Sequence, residues 1–343
     1  MKYLDFRSDT VTKPTPEMME YMQNAPVGDD VFGDDPTVNA LQDLGASMFG
    51  MEAGLYCASG TMTNQIAINV HVQPGDEVIC HEEAHIYRYE GGGIARNSGA
   101  SVRFIRGNQG RIDPDQIIDN INPDDQHYPV TRMVSIEDTA NRGGGLCYDF
   151  EDIKKISAIC KDKKLAFHLD GARVFNALEV TGIDPKTYGA QFDSISICLS
   201  KGLGAPVGSL LIGKKDFIAK AKRIRKVFGG GMRQAGIIAA GGMYALENNI
   251  SRLAEDHRNA KKIEGFLKDK AWIKEVLPVQ TNIVVGILND GVSEQIVADR
   301  LKDNGVLCVP FGKGRIRLTT HLDVSSEDVD RLATLLPNTI EAE

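Results

Sequence analysis

Ser196-Ile197-Cys198-Leu199-Ser200-Lys201-Gly202-Leu203-Gly204-Ala205-Pro206-Val207-Gly208 is the stretch on which the reading of this chain turns. Its first half has the composition of a strand covered on both faces. It ends on a lysine that runs straight into a glycine-rich turn. Lysine rarely serves as packing material at the end of a buried strand, although its stem can snorkel from a strand edge. Held out of water, a lysine amine can attack a carbonyl carbon. The glycines would let a bulky ring come close to the backbone.

Upstream lies Ala166-Phe167-His168-Leu169-Asp170-Gly171-Ala172-Arg173, where an aspartate ends another apolar run. Ligands of open α/β sheets bind outside the carboxyl ends of the strands, so Asp170 and Lys201 are expected to face one crevice. A carboxylate there can pair with the pyridinium nitrogen of pyridoxal phosphate and keep the ring an electron sink. Taken alone, Asp170 could instead cap the following helix; the joint pattern favours the cofactor. Ala58-Ser59-Gly60-Thr61-Met62-Thr63-Asn64 follows a strand and opens a helix. Its free N–H groups could hold a phosphate, with an ordinary Ser/Thr N-cap as the plainer alternative.

Around these segments, β-rich runs alternate with helical patterns. Strands are expected at Gly54 to Cys57, Glu77 to Cys80, Val102 to Ile105, Thr131 to Ile136, Leu165 to Leu169, Ser194 to Cys198 and Ser209 to Ile212, with a helix over Phe150 to Lys161. That order implies an α/β fold with a mainly parallel sheet. Past residue 250 the pattern changes to a long polar helix (Ser251 to Lys268), a strand (Asn282 to Ile287), a helix (Ser293 to Asp303), strands at Val306 to Val309 and Arg315 to Thr319, and a last helix (Ser326 to Leu335). The expected division is an extended arm over 1–14, a large domain over 15–250 and a small α+β domain over 251–343.

The 343 residues carry a formal charge of −8, and no basic tail stands out, which argues against nucleic acid and anionic membranes as partners. No apolar run is long enough to span a bilayer, and the first residues lack the pattern of a secretory signal, so a cytoplasmic protein is expected. The six cysteines are scattered, with neither a disulfide framework nor a zinc knuckle in their spacing. Two motif matches mislead, and a third motif is absent. His81-Glu82-Glu83-Ala84-His85 fits a zinc-protease pattern, but it directly follows a strand, and no metal is expected. The run from Gly208 to Lys214 resembles a phosphate loop whose interior reads as a strand. No G-x-G-x-x-G follows the first strand, so a dinucleotide site has no support.

With these residues in view, the chain resembles the low-specificity L-threonine aldolases. The likeness rests on Arg7-Ser8-Asp9-Thr10, Val27-Gly28-Asp29-Asp30-Val31-Phe32-Gly33-Asp34-Asp35-Pro36-Thr37, Ser59-Gly60-Thr61, His168-Leu169-Asp170-Gly171-Ala172-Arg173, Leu199-Ser200-Lys201-Gly202, Gly229-Gly230-Gly231-Met232-Arg233-Gln234 and Arg317-Leu318-Thr319-Thr320-His321, in the family's order. It implies the aspartate-aminotransferase-like fold, pyridoxal 5'-phosphate as cofactor, and a homotetramer of catalytic dimers. It further implies that Lys201, next to Ser200, forms the Schiff base and Asp170 pairs with the ring nitrogen. Ser59, Gly60 and Thr61 would hold the phosphate, with Lys226 and Arg233 reaching it from a neighbouring subunit. Ser8, Arg173 and Arg317 would bind the substrate carboxylate. His85 would stack on the ring, and His127 would lie near the substrate hydroxyl.

Two departures stand out. Phe32 occupies a position where the family often has tyrosine, which keeps the aromatic wall and loses a hydroxyl. Glu137-Asp138-Thr139-Ala140-Asn141-Arg142-Gly143 replaces the usual Glu-Asn-Thr-His-Asn-Gly. The implied activity is retro-aldol cleavage of a β-hydroxy-α-amino acid to glycine and an aldehyde. The alternatives are a β-eliminating lyase of the same fold, then an aminotransferase, then a non-catalytic scaffold that binds the same cofactor.

Overall fold

Buried, β-branched segments make the centre of the molecule. The computed structural model describes residues 3–340, so the first two residues of the expected arm and the last three of the small domain lie outside the described residues. In chain order the strands are β1 (Leu4–Asp5), β2 (Ala53–Cys57), β3 (Glu77–His81), β4 (Ser101–Ile105), β5 (Thr131–Glu137), β6 (Ala166–Gly171), β7 (Ser194–Cys198), β8 (Ser209–Gly213), β9 (Ile273–Val276), β10 (Ile283–Leu288), β11 (Val306–Leu307), β12 (Val309–Pro310) and β13 (Arg315–Thr319). Seven form the main sheet in the order β2-β8-β7-β6-β5-β3-β4. β8 runs antiparallel to both β7 and β2, and the other pairs are parallel. β3, β7 and β8 are buried throughout, as strands packed on both faces must be. The expected mainly parallel α/β sheet is therefore present.

β9, β10, β12 and β13 form a second, antiparallel sheet with its own core, which includes Trp272, Val284, Ile316 and Leu332. The expected strand over Val306 to Val309 is in fact two. β11 pairs in parallel with the N-terminal β1, while β12 pairs with β13. The N-terminal segment supplies Leu4 and Phe6 to the second core, and a short 3-10 turn at Asp9–Val11 interrupts the expected extension. Asp9 follows from there into the space between the two sheets, where it meets Arg173 and Asn282. Glycine is required at Gly208, where a Cβ would stand 2.5 Å from the Tyr56 ring. All six cysteines are free and buried. Among the described residues no helix is long and apolar enough to cross a membrane.

Candidate active site

Because β2, β3, β5, β6 and β7 run in one direction, their carboxyl ends deliver side chains to a single edge. The cleft there, about 280 Å³, is lined by Ser8, Ser59, Gly60, Thr61, His85, Glu137, Asn141, Asp170, Arg173, Ser200, Lys201 and Arg317, among others. Lys201 lies in the turn that follows β7, past Leu199 and Ser200, and its carbonyl accepts a hydrogen bond from Thr12 Oγ1 at 3.0 Å, tying the lysine turn to the N-terminal segment. Asp170 closes β6. Its Oδ2 accepts from Asn64 Nδ2 at 3.0 Å and its Oδ1 from the Ala172 amide at 3.2 Å. The following helix begins at Val174 without a side-chain cap, so Asp170 is not a helix cap.

The helix Gly60–His71 opens at this edge. Ser59 caps it, its Oγ accepting from the Met62 amide at 3.2 Å. Helix N-termini carry unpaired N–H groups and a positive dipole end. Ser209 Oγ is buried without a hydrogen-bond partner and lies 3.6 Å from where a Cβ on Gly60 would stand. An anion seated on this helix end would meet donors that have nothing else to bind.

The two cleft arginines differ in what holds them. Arg173 grips Asp9 through Nε and Nη2, both at 2.7 Å, and Asn282 adds a third contact to the same carboxylate. Burial alone would push the Asp9 carboxyl up, but the Arg173 guanidinium outweighs it and holds Asp9 well below the usual carboxylate range. Among the described residues Arg317 has no carboxylate partner. Its Nη1 and Nη2 donate to Asn141 Oδ1 and the Arg7 carbonyl, both at 2.9 Å, and its buried Nε is unpaired. Burial, followed by the nearby Arg173 charge, lowers Arg317 to about 10. A carboxylate entering the cleft therefore meets no competing carboxylate on Arg317 among the described residues.

His85 is fixed on two sides. Its backbone N–H donates to Glu137 Oε2 at 2.9 Å, and its Nδ1 lies 3.0 Å from Glu90 Oε1. His81 closes β3 while His85 opens the short helix His85–Arg88, so the two do not share a helix face as a zinc-protease pair would. His85, Glu90 and Asp170 offer donor atoms within 4.8 Å of one another, but the Asn64 amide lies between the two carboxylates and donates to both.

Four expected site residues lie elsewhere in the chain. His127 stands on an exposed turn, bonded to Asp125 through Nδ1 at 2.6 Å. Phe32 is 77% exposed, and together with Lys226 it lines a separate cleft of about 470 Å³. Arg233 pairs with Asp29 at 2.9 Å. In turn, Asn64 and Glu137 line the cleft, while Asp9 and Glu90 stand behind it on Arg173 and His85, though none of the four was given a role from the sequence. Asp9 had a signal, as an acid inside the Arg7-to-Thr10 block. Asn64 and Glu137 lie in blocks already quoted, whereas Glu90 gains its position from contacts that no local pattern encodes.

The sequence matches the beta-eliminating lyase family over residues 5–290. It is 42% identical over 331 residues to the low specificity L-threonine aldolase of Escherichia coli K12, covering 96% of this chain and 97% of that one. It is 40% identical to low-specificity L-threonine aldolase 1 of Arabidopsis thaliana, covering 96% and 94%. The fold is similar to the solved threonine aldolase of Leishmania major (TM-score 0.83, 22% identity, 97% and 98% covered) and to Sphingomonas wittichii serine palmitoyltransferase (TM-score 0.77, 15% identity, 97% and 86% covered). The parallel sheet, the lysine turn at its carboxyl edge and an end-to-end likeness at this level lead to one conclusion: this chain belongs to the low-specificity L-threonine aldolases of the beta-eliminating lyase family.

Proposed function

We propose that this protein cleaves β-hydroxy-α-amino acids, L-threonine and L-allo-threonine among them, to glycine and an aldehyde, with pyridoxal 5'-phosphate bound in the Lys201 cleft. The observation that carries this reading is the convergence of Lys201, Asp170 and a carboxylate-free Arg317 in one cleft. The donor set suits the cofactor: Ser59, Gly60 and Thr61 for its phosphate, Asp170 for its ring nitrogen, Lys201 for its aldehyde, and Ser200 beside the lysine. When bound, the cofactor supplies an electron sink for the pair released from the Cα–Cβ bond.

The chain's own residues do the rest. Arg317 takes the substrate carboxylate, helped by Ser8 and by the part of the Arg173 guanidinium that Asp9 leaves open; a planar guanidinium suits that anion. Fixing the carboxylate orients the Cα–Cβ bond. His85, directly or through a water, takes the β-hydroxyl proton. His127 stands outside the cleft-lining set of its own chain, so the proton transfer is assigned to His85. Lys226, Arg233 and Phe32 act, in this reading, on the cleft of a neighbouring copy within a homotetramer.

The test is to incubate the purified protein with L-threonine and L-allo-threonine and assay acetaldehyde and glycine. Borohydride reduction followed by peptide mapping should place the cofactor on Lys201. Pyruvate and ammonia from L-serine, with no acetaldehyde from threonine, would overturn the reading in favour of β-elimination.

A further inference from the structure

Glu90 has no role in the account so far, yet its side chain is completely buried behind His85. The chain goes to some length to bring it there. Tyr89-Glu90-Gly91-Gly92-Gly93 leaves the His85–Arg88 helix and comes down on the helix Gly60–His71. At Gly93 a Cβ would stand 2.5 Å from the Gln65 amide, so any other residue would push that amide from its place. The result is that Gln65 Nε2 donates to Glu90 Oε2 at 2.6 Å and Asn64 Nδ2 donates to Glu90 Oε1 at 2.9 Å. His85 Nδ1 completes the shell at 3.0 Å from Oε1.

A hydrogen-bonded chain running through the sheet fixes the direction of these bonds. His168 Nε2 lies 3.1 Å from Asn64 Oδ1, and since a carbonyl oxygen only accepts, Nε2 carries the proton. Burial pushes His168 down to about 3, so it is neutral and its Nδ1 accepts from Ser194 Oγ at 2.8 Å. Ser194 Oγ in turn accepts from His71 Nε2 at 2.8 Å, and burial likewise lowers His71, to about 4. Every donor in this chain therefore points toward the Asn64 amide, whose two N–H bonds go to Glu90 and Asp170. The carboxylate of Glu90 is left as an acceptor, and the proton between it and His85 must sit on Nδ1.

We propose that Glu90 is a positioning residue for the reaction: it holds His85 with the proton on Nδ1, sets the ring plane, and turns Nε2 toward the cleft. Asn64 joins this pair to Asp170, so the group that faces the ring nitrogen and the group that moves the β-hydroxyl proton are set by one amide. This inference rests on the reading of His85 as the proton-transfer group. Burial opposes charge on the imidazole, but the hydrogen bond to Glu90, followed by the nearby carboxylates of Asp170 and Glu137, more than offsets it and raises His85 above its ordinary value. The other charged groups of the cleft are Lys201, Arg173 and Arg317.

The test uses holoenzyme labelled with 15N-histidine. In wild type the His85 signal should report a protonated Nδ1 and a titration midpoint above that of free imidazole. Glu90→Gln should lower that midpoint by about one unit or more, a tenfold weaker hold on the proton. The pH limb of kcat should move the same way, with little change in KM. Should Glu90→Gln fold poorly, Glu90→Asp keeps the charge one methylene further away and should give an intermediate midpoint. Turnover is then compared in His85→Asn and in His85→Asn with Glu90→Gln. If Glu90 acts through His85, the double variant is no slower than His85→Asn alone. An unchanged His85 midpoint, or losses that simply add, would overturn the proposal while leaving the aldolase reading intact. Near-normal turnover of His85→Asn would instead remove His85 from proton transfer, and the midpoint would still decide whether Glu90 fixes its proton.

Discussion

Asp9 and Asp138 are both buried carboxylates near the cleft, and their surroundings push them in opposite directions. Asp9 is held low by Arg173, so its contribution to stability is present above the ordinary carboxylate range and is lost as pH falls toward its folded value. Asp9→Asn strands the buried Arg173 charge and should cost about 3–5 kcal/mol in denaturant unfolding at neutral pH. The mutant should also lose part of the wild-type drop in stability on acidification. Asp138 is raised by burial to about 7, even though it accepts from Tyr188 Oη at 2.6 Å and from the Tyr148 amide. A raised carboxyl favours the protonated folded state, so its contribution is full below the ordinary range and is lost as pH rises through about 7. Asp138→Asn should therefore raise the melting temperature at pH 8 and change it little at pH 5. Equal shifts at both values would mean that Asp138 titrates normally. At this scale Lys201 and Asp170 were legible because each ends an apolar run where a charged group is conspicuous. Glu90 was not, because its meaning comes from Asn64 and Gln65 on a helix that the sequence gives no reason to place beside it.

Between the elements, Asp35 does more than its place before a proline indicates. Its Oδ1 accepts from the Thr37 and Val38 amides and caps the helix Pro36–Met48. Its Oδ2 accepts from the Gly28 amide at 3.2 Å and from the Gly236 amide at 2.8 Å, at the start of the helix Gly236–Asn248. One buried carboxylate thus ties a loop and two helices together. Asp35→Ala removes a cap, worth about 0.5–2 kcal/mol, and strands two further amides, at about 1–3 kcal/mol for each group left unpaired. A loss of about 3 kcal/mol or more is expected in urea unfolding; a loss under 1 kcal/mol would mean that water replaces the contacts. The expected strands of the main sheet appear within a residue of their expected starts, since strands buried on both faces announce themselves by composition. β9, Ile273-Lys274-Glu275-Val276, was missed because half of it is charged and exposed. Val306 to Val309 was read as one strand because the partner of its first half is the N-terminus of the chain, and pairing at that distance leaves no local mark.

For the molecule as a whole, the exposed apolar residues Tyr21, Val31, Phe32, Val227 and Ile237 accompany a basic stretch from Lys220 to Lys226. Neither feature serves the cleft of its own chain, which is the arrangement required if a second copy covers this face. Arg233→Ala should then weaken cofactor binding, and mixing it with Lys201→Ala subunits should restore part of the lost activity, because a hybrid dimer holds one site with both groups intact. Subunit exchange without recovered activity would show that Arg233 serves its own chain. The sequence conveyed this only through the likeness to a family, since a surface destined for a partner reads like any other surface until a fold shows that it has nothing else to cover.

The pairing of β1 with β11 also bears on the order in which the cell makes the protein. Leu4 and Asp5 leave the ribosome some 300 residues ahead of Val306 and Leu307, a gap of roughly 15–60 s at typical elongation rates. Until then β1 has no strand to pair with, and the Phe6 amide lacks the Leu307 carbonyl that accepts from it. The lysine turn and the start of the helix Gly60–His71 are already made while Arg317 is still unsynthesised. A nascent chain thus completes the Lys201 edge of the cleft before the strand that carries Arg317 exists. A product truncated before β13 would lack Arg317 and with it one wall of the cleft.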